Sequence, residues 1–111
     1  SILVEGAGGA FSPLALDGLN INMMRLIKSF NILVVKDELG CIGSTIASVH
    51  AFQKYKTNLD LVILNTSNKN NMDNLTEIRK YTKLPVINYK GVSSIRNIFR
   101  KVSTLLKLSN R

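Results

Sequence analysis

Four short apolar runs punctuate this chain: Ile2–Val4, Ile32–Val35, Leu61–Leu64 and Val86–Ile87. The middle two are continuous rather than alternating. A strand buried on one face alternates apolar and polar residues, whereas a continuous run predicts cover on both faces, as in a parallel sheet. Helical spacing fills the intervals. Asn20 is placed to cap a helix carrying Met23, Met24, Ile27 and Phe30. Ile42, Ile46, Val49 and Phe52 form a second amphipathic stripe. Met72, Leu75, Ile78 and Tyr81 form a third, with Asp73 and Glu77 early and Lys80 and Lys83 late, as the helix dipole prefers. Ser93 or Ser94 should cap a last helix, with Ile95, Ile98, Phe99, Val102, Leu105 and Leu106 on one face. The expected order is β-α-β-α-β-α-β-α: an α/β fold, a parallel sheet with flanking helices and right-handed crossovers. Residues 65–74 are expected to form a polar loop entering a helix.

The 111 residues suffice for one domain with one modest core, and 45% apolar content predicts folding rather than disorder. A buried strand at the very start of the chain is unusual for a whole domain. Residues 1–111 are therefore expected to be a single α/β domain or half-domain. No apolar run approaches the roughly 20 residues of a membrane-spanning helix, and no secretory leader is evident. The single Cys41 cannot form an internal disulfide, which suits a reducing, cytoplasmic setting. The net charge is +8, and no acidic residue follows Glu77. Such a basic tail serves nucleic acid, an anionic surface, or simply solvation. No aromatic stacking motif accompanies it, so a solvated face is the expectation and nucleic acid is not.

Ligands of open α/β sheets bind beyond the carboxyl ends of the strands. Glu5 is expected at such an end, where a carboxylate can hold Mg²⁺ beside substrate phosphates. Gly6, Ala7, Gly8 and Gly9 follow, and glycines let backbone approach a ligand closely. A polar strand end with a glycine-rich turn explains the same residues equally well. "DELGCIGST" at 37–45 opens a helix, with Gly40 and Gly43 bracketing its first turn. Unused N–H groups there suit an anion, or the stretch is a plain strand-to-helix turn. Asp37 and Glu38 are expected to face solvent. Asn65 ends the third run; its carboxamide could bond a purine edge or simply form a turn. There is no G-x-x-x-x-G-K-[ST] and no G-x-G-x-x-G. His50 lacks metal-spaced neighbours, and Cys41 lacks a nearby base in sequence.

In order, "VEGAGGAFSPL", "LGCIGST", "LVILN" and "LPVINY" resemble the signatures of the dethiobiotin synthetase family. The resemblance implies the C-terminal half of a P-loop NTPase-like fold. It implies an ATP- and Mg²⁺-dependent cyclo-ligase that closes a cyclic urea from 7,8-diaminononanoate and CO₂ in biotin biosynthesis. By position, Glu5 would bind Mg²⁺, and Gly6, Ala7, Gly8 and Gly9 would line the diamine and phosphate site. Leu39, Gly40, Cys41, Ile42 and Gly43 would offer N–H groups to the substrate carboxylate across a homodimer interface, and Asn65 would bond adenine. The family's phosphate-binding loop and a second acidic metal ligand belong to a preceding half, expected to be lost, cleaved or encoded separately. Gly43-Ser44 replaces an Asn-His of the family, and Lys90-Gly91 stands where members carry Ile-Pro. The competing expectations are a non-catalytic scaffold or regulatory remnant of this fold, a basic anion- or nucleic-acid-binding module, and an amidoligase of cobyric or cobyrinic acid synthesis.

Overall fold

The computed structural model describes residues 2–66 and 72–109. Two small antiparallel strands, β1 (Pro13–Ala15) and β2 (Gly18–Leu19), precede helix α1 (Asn20–Ile27). Then come β3 (Ile32–Lys36), α2 (Cys41–Lys54), β4 (Leu61–Asn65), α3 (Asn74–Arg79), β5 (Val86–Tyr89) and α4 (Ile95–Ser109). The expected α/β architecture is present: β3, β4 and β5 form a parallel sheet in that order, with helices between them.

β4 is central, and its neighbours pair with it in simple register, Ile32 opposite Leu61 and Val62 opposite Val86. Leu61, Val62 and Leu64 are wholly buried, as a strand covered on both faces requires. Each such side chain contributes about 1.5–3 kcal/mol by leaving water. Val62 and Leu64 pack with Ile21, Cys41, Val49, Phe52, Ile78 and Val86 in one core. β3 departs from expectation: it pairs only with β4 among the described residues, and Val34 is 63% exposed.

The run Ile2–Val4 is the larger departure, because it forms no strand. Ile2 and Leu3 are 91% and 95% exposed. β propensity is realised only against a neighbouring strand and a covering layer, and no described residue supplies either. Asn20 is the first residue of α1 rather than its cap. Leu19 occupies the cap position, and Asn22 Oδ1 accepts its N–H at 2.8 Å. The helix ends at Ile27, where Lys28 turns left-handed (φ 49°), so Phe30 lies beyond it.

α3 is shorter than its apolar stripe. Leu75 and Ile78 face the core, while Met72 and Tyr81 lie outside the helix and are exposed. The expected polar loop at 65–74 falls largely outside the described residues. Before α4, a 3₁₀ turn (Val92–Ser94) follows Gly91. Ser94 Oγ accepts the Lys90 N–H and donates to the Gly91 carbonyl, both at 2.8 Å, so it fastens the turn upstream rather than capping the helix. Ile98, Val102 and Leu105 of α4 are half-buried, but Ile95 and Phe99 remain exposed.

A buried asparagine ties β3 to β4 at their amino ends. Asn31 donates its side-chain N–H to the Asn58 carbonyl at 2.7 Å and its backbone N–H to Asp60 Oδ2 at 2.7 Å. Its Oδ1 accepts from Ser29 Oγ at 2.6 Å. Asn31→Ala should cost about 1–3 kcal/mol in urea unfolding, because the Asn58 carbonyl loses its buried donor. A loss under a few tenths of a kcal/mol would show that water replaces it.

Asp73 caps α3, accepting from Thr76 Oγ1 at 2.8 Å and Thr76 N–H at 3.3 Å, and these bonds lower its pKa. A lowered folded-state pKa contributes stability that is present above the ordinary carboxylate range and lost as pH falls through the folded value. Asp73→Asn keeps an acceptor that does not titrate. It should therefore lose less stability on acidification than the parent, measured by urea midpoints across that range.

Candidate functional site

The residues singled out by sequence fall in two places. The first is the glycine-rich loop. Glu5 is exposed and, with no strand before it among the described residues, does not end a strand as expected; Gly6–Gly9 lead into a turn held by Ser12, whose Oγ accepts the Gly9 N–H at 2.9 Å while its N–H donates to the Gly9 carbonyl at 3.0 Å. Gly8 is left-handed (φ 77°), and a Cβ there would collide with Ser12 Oγ. The glycine is required by both backbone and space.

Asn20, which the sequence marks only as a capping residue, organises this loop. It is 2% exposed. Its Nδ2 donates to the Ala7 carbonyl at 2.8 Å and the Gly9 carbonyl at 3.0 Å. Gly6 lies so close that a Cβ on it would sit 3.3 Å from Asn20 Nδ2. Backbone bonds complete the attachment, Asn20 N–H to Ser12 O at 3.0 Å and Ile21 N–H to Ala10 O at 2.9 Å. The N–H groups of Gly6, Ala7, Gly8 and Ala10 have no acceptor among the described residues.

The second place is the carboxyl end of the sheet. Gly40 (φ 91°) precedes α2, and Leu39 and Gly43 are exposed. Cys41 is buried and its N–H is taken by the Glu38 carbonyl at 3.1 Å, so it is not offered outward. Ile42, half-buried, and Gly43 keep first-turn N–H groups with no acceptor among the described residues, the donors a helix start leaves over. Glu38 faces solvent beside Lys36 at 3.4 Å, as expected. Asp37 does not: it is buried, and Asn74 Nδ2 donates to its Oδ1 at 2.6 Å. The ladder of β3 continues through its N–H to the Asn65 carbonyl at 2.9 Å, which draws Asp37 inward. Asn65 is half-buried at the end of β4, and beside it Asn88 Nδ2 donates to Thr66 Oγ1 at 2.7 Å. The pairing of Asp37 with Asn74, 37 residues apart, leaves no local signal in the sequence.

The Gly40–Gly43 turn and Asn65 are thus neighbours. The glycine-rich loop is anchored elsewhere: Phe11 packs on Tyr55, ring centroids 5.4 Å apart, at the far end of α2. A helix of 14 residues separates that contact from Gly40, a length of about 20 Å at 1.5 Å per residue. Among the described residues no group of three or more His, Cys, Asp or Glu could hold a metal. No described helix is long and apolar enough to cross a membrane.

The two loop glycines separate required from permissive positions. Gly8→Ala should cost about 1–2 kcal/mol from the left-handed backbone alone, and speed amide exchange across residues 6–12. Gly9→Ala, whose Cβ would meet nothing within 4 Å, should leave exchange unchanged. Equal behaviour of the two variants would contradict this geometry.

A family model described as an AAA domain matches residues 1–89. The chain is 34% identical, over 105 residues and 95% of its length, to the ATP-dependent dethiobiotin synthetase of Vesicomyosocius okutanii subsp. Calyptogena okutanii, covering 48% of that protein. Its identity to the enzyme of the same name from Ruthia magnifica subsp. Calyptogena magnifica is 30%, covering 95% of this chain and 49% of that one. With the Clostridium botulinum (strain Alaska E43 / Type E3) enzyme it is 35% over 77% of this chain and 40% of the relative. The chain spans about half the length of the curated relatives it matches. With the motifs in order along the chain and this match over most of its length, the chain belongs to the AAA-domain family that the model describes and, within it, to the dethiobiotin synthetase family.

Proposed function

We propose that this chain supplies the C-terminal half of an ATP-dependent dethiobiotin synthetase, closing a cyclic urea from 7,8-diaminononanoate and CO₂. One observation carries the assignment: a carboxylate, Glu5, is followed by a pinned loop of backbone donors without acceptors among the described residues. That loop lies within a chain similar over 95% of its length to enzymes of that name.

Gly6, Ala7, Gly8 and Gly9 line the diamine and phosphate site, their small size admitting ligand to the backbone. Mg²⁺ is commonly held by one or two carboxylates plus substrate phosphates, so Glu5 fits as one such ligand. When bound, the ion would offset charge on the triphosphate. Ile42 and Gly43 offer N–H groups to the substrate carboxylate, with Leu39 and Gly40 shaping the approach and Cys41 filling the core beneath. The span of α2 between this turn and the glycine-rich loop supports a homodimer in which each subunit's turn serves its neighbour's site. Asn65 bonds the adenine edge. A region corresponding to the remaining half of the relatives completes the phosphate cradle, since this chain spans about half of their length.

The test measures dethiobiotin formation from 7,8-diaminononanoate, bicarbonate and Mg-ATP. The chain is assayed alone and mixed with the N-terminal segment of the Vesicomyosocius okutanii relative. Turnover should require the mixture, and Glu5→Gln should lower it at least ~100-fold with the fold intact, in the range seen when one transition-state electrostatic contact is removed. Turnover by the chain alone, or an unaffected Glu5→Gln mixture, would overturn the assignment.

A further inference from the structure

We infer that Asn20 is the positioning residue that turns the glycine-rich loop into a receptor for a phosphoryl oxyanion. The inference deepens the site proposed above and rests on that assignment for its role in turnover. In a trans peptide the C=O and the N–H point in opposite directions. The peptide joining Ala7 to Gly8 has its carbonyl on Asn20 Nδ2 at 2.8 Å, so the Gly8 N–H points away from Asn20. The peptide joining Gly9 to Ala10 has its carbonyl on the same Nδ2 at 3.0 Å, so the Ala10 N–H points away as well. The two hydrogens of one carboxamide thus set two peptide planes alike. The Gly9 N–H between them is spent on Ser12 Oγ at 2.9 Å, which leaves Gly8 and Ala10 as the outward pair. Backbone donors turned to one side of a tight turn form an anion-binding concavity.

Burial makes this an arrangement rather than a surface accident. Asn20 is 2% exposed, and its Oδ1, against Gly6, has no hydrogen-bond partner among the described residues. A buried carboxamide with an unmet acceptor costs free energy. Both of its donor hydrogens nevertheless serve the loop. Ser12 also donates to the Gly9 carbonyl, so that peptide has a second hold, whereas the Ala7 carbonyl depends on Asn20. Gly8 is therefore the donor most sensitive to residue 20. Asp at this position would keep the size of Asn while removing both donors and setting a carboxylate against two carbonyl oxygens. The peptide between Ala7 and Gly8 would turn over and present a carbonyl to the anion.

The test is an amide-resolved NMR titration of the chain with inorganic phosphate, in Mg²⁺ sufficient to offset the Glu5 charge upstream. In the parent, the Gly8 and Ala10 amides should shift and saturate together. In Asn20→Asp, affinity read at Gly8 should fall at least ~10-fold, the equivalent of about one hydrogen bond. Core amides of Leu61, Val62 and Ile78 should keep their exchange rates. Asn20→Ala, which removes the bonds without adding charge, should give a smaller loss and serves if the Asp variant unfolds. Phosphate that moves neither amide in the parent, or variants that titrate like the parent, would overturn the inference. Ring closure is not part of the readout. Intact phosphate binding without turnover in the reconstituted mixture refutes the proposed function alone, and the converse refutes the role of Asn20 alone.

Discussion

The structure depends on the double ladder of β4. Paired on both sides and covered on both faces, this strand places β3 and β5 and the helices packed around them. Its wholly buried residues leave no register but one: a slip of a single residue would exchange the faces of Val62 and Ile63 and bring Asn65 inward. The Asn31 network at the amino ends reinforces the same register with directional bonds, which apolar burial cannot supply by itself. Everything beyond the carboxyl ends of the sheet, including the Gly40 turn and Asn65, inherits its position from that ladder.

What was legible in the sequence follows from how local each constraint is. The continuous runs at 32–35 and 61–64 announced parallel strands because a single segment records whether both of its faces are buried. The stripe from Ile42 to Phe52 announced α2 for the same reason. Ile2–Val4 carries the same composition, yet it forms no strand and is exposed; a strand is a property of a pair. The β1–β2 pair escaped notice because strands this short bury too little to leave a periodic signature, though Asp17-Gly18 is a turn signal.

The site was legible in its glycines and less so in its asparagines. Gly8 and Gly40 adopt the backbone that their residue type suggests. Asn20 was visible as a helix-start residue, but its work lies in bonds to carbonyls 11 and 13 residues upstream. Asp37 was expected in solvent because charge usually goes there; Asn74 supplied the buried partner that reversed the outcome. Such pairs are products of topology, and no window of sequence contains both members.

The edge of β3 has a further consequence, for how the chain behaves in concentrated solution. Among the described residues this strand has a row of backbone groups without a neighbour, and Val34 adds an apolar side chain to that row. A bare edge of this kind templates pairing with another chain. Natural sheets guard such edges with lysine, and Lys36 stands at the end of β3, but its charge is partly offset by Glu38 at 3.4 Å. Salt would screen that ion pair and the +8 net charge together. Self-association through the β3 edge is then set by two opposing effects of ionic strength. Lys36 is freed to guard the edge, while the long-range repulsion that keeps copies apart is weakened.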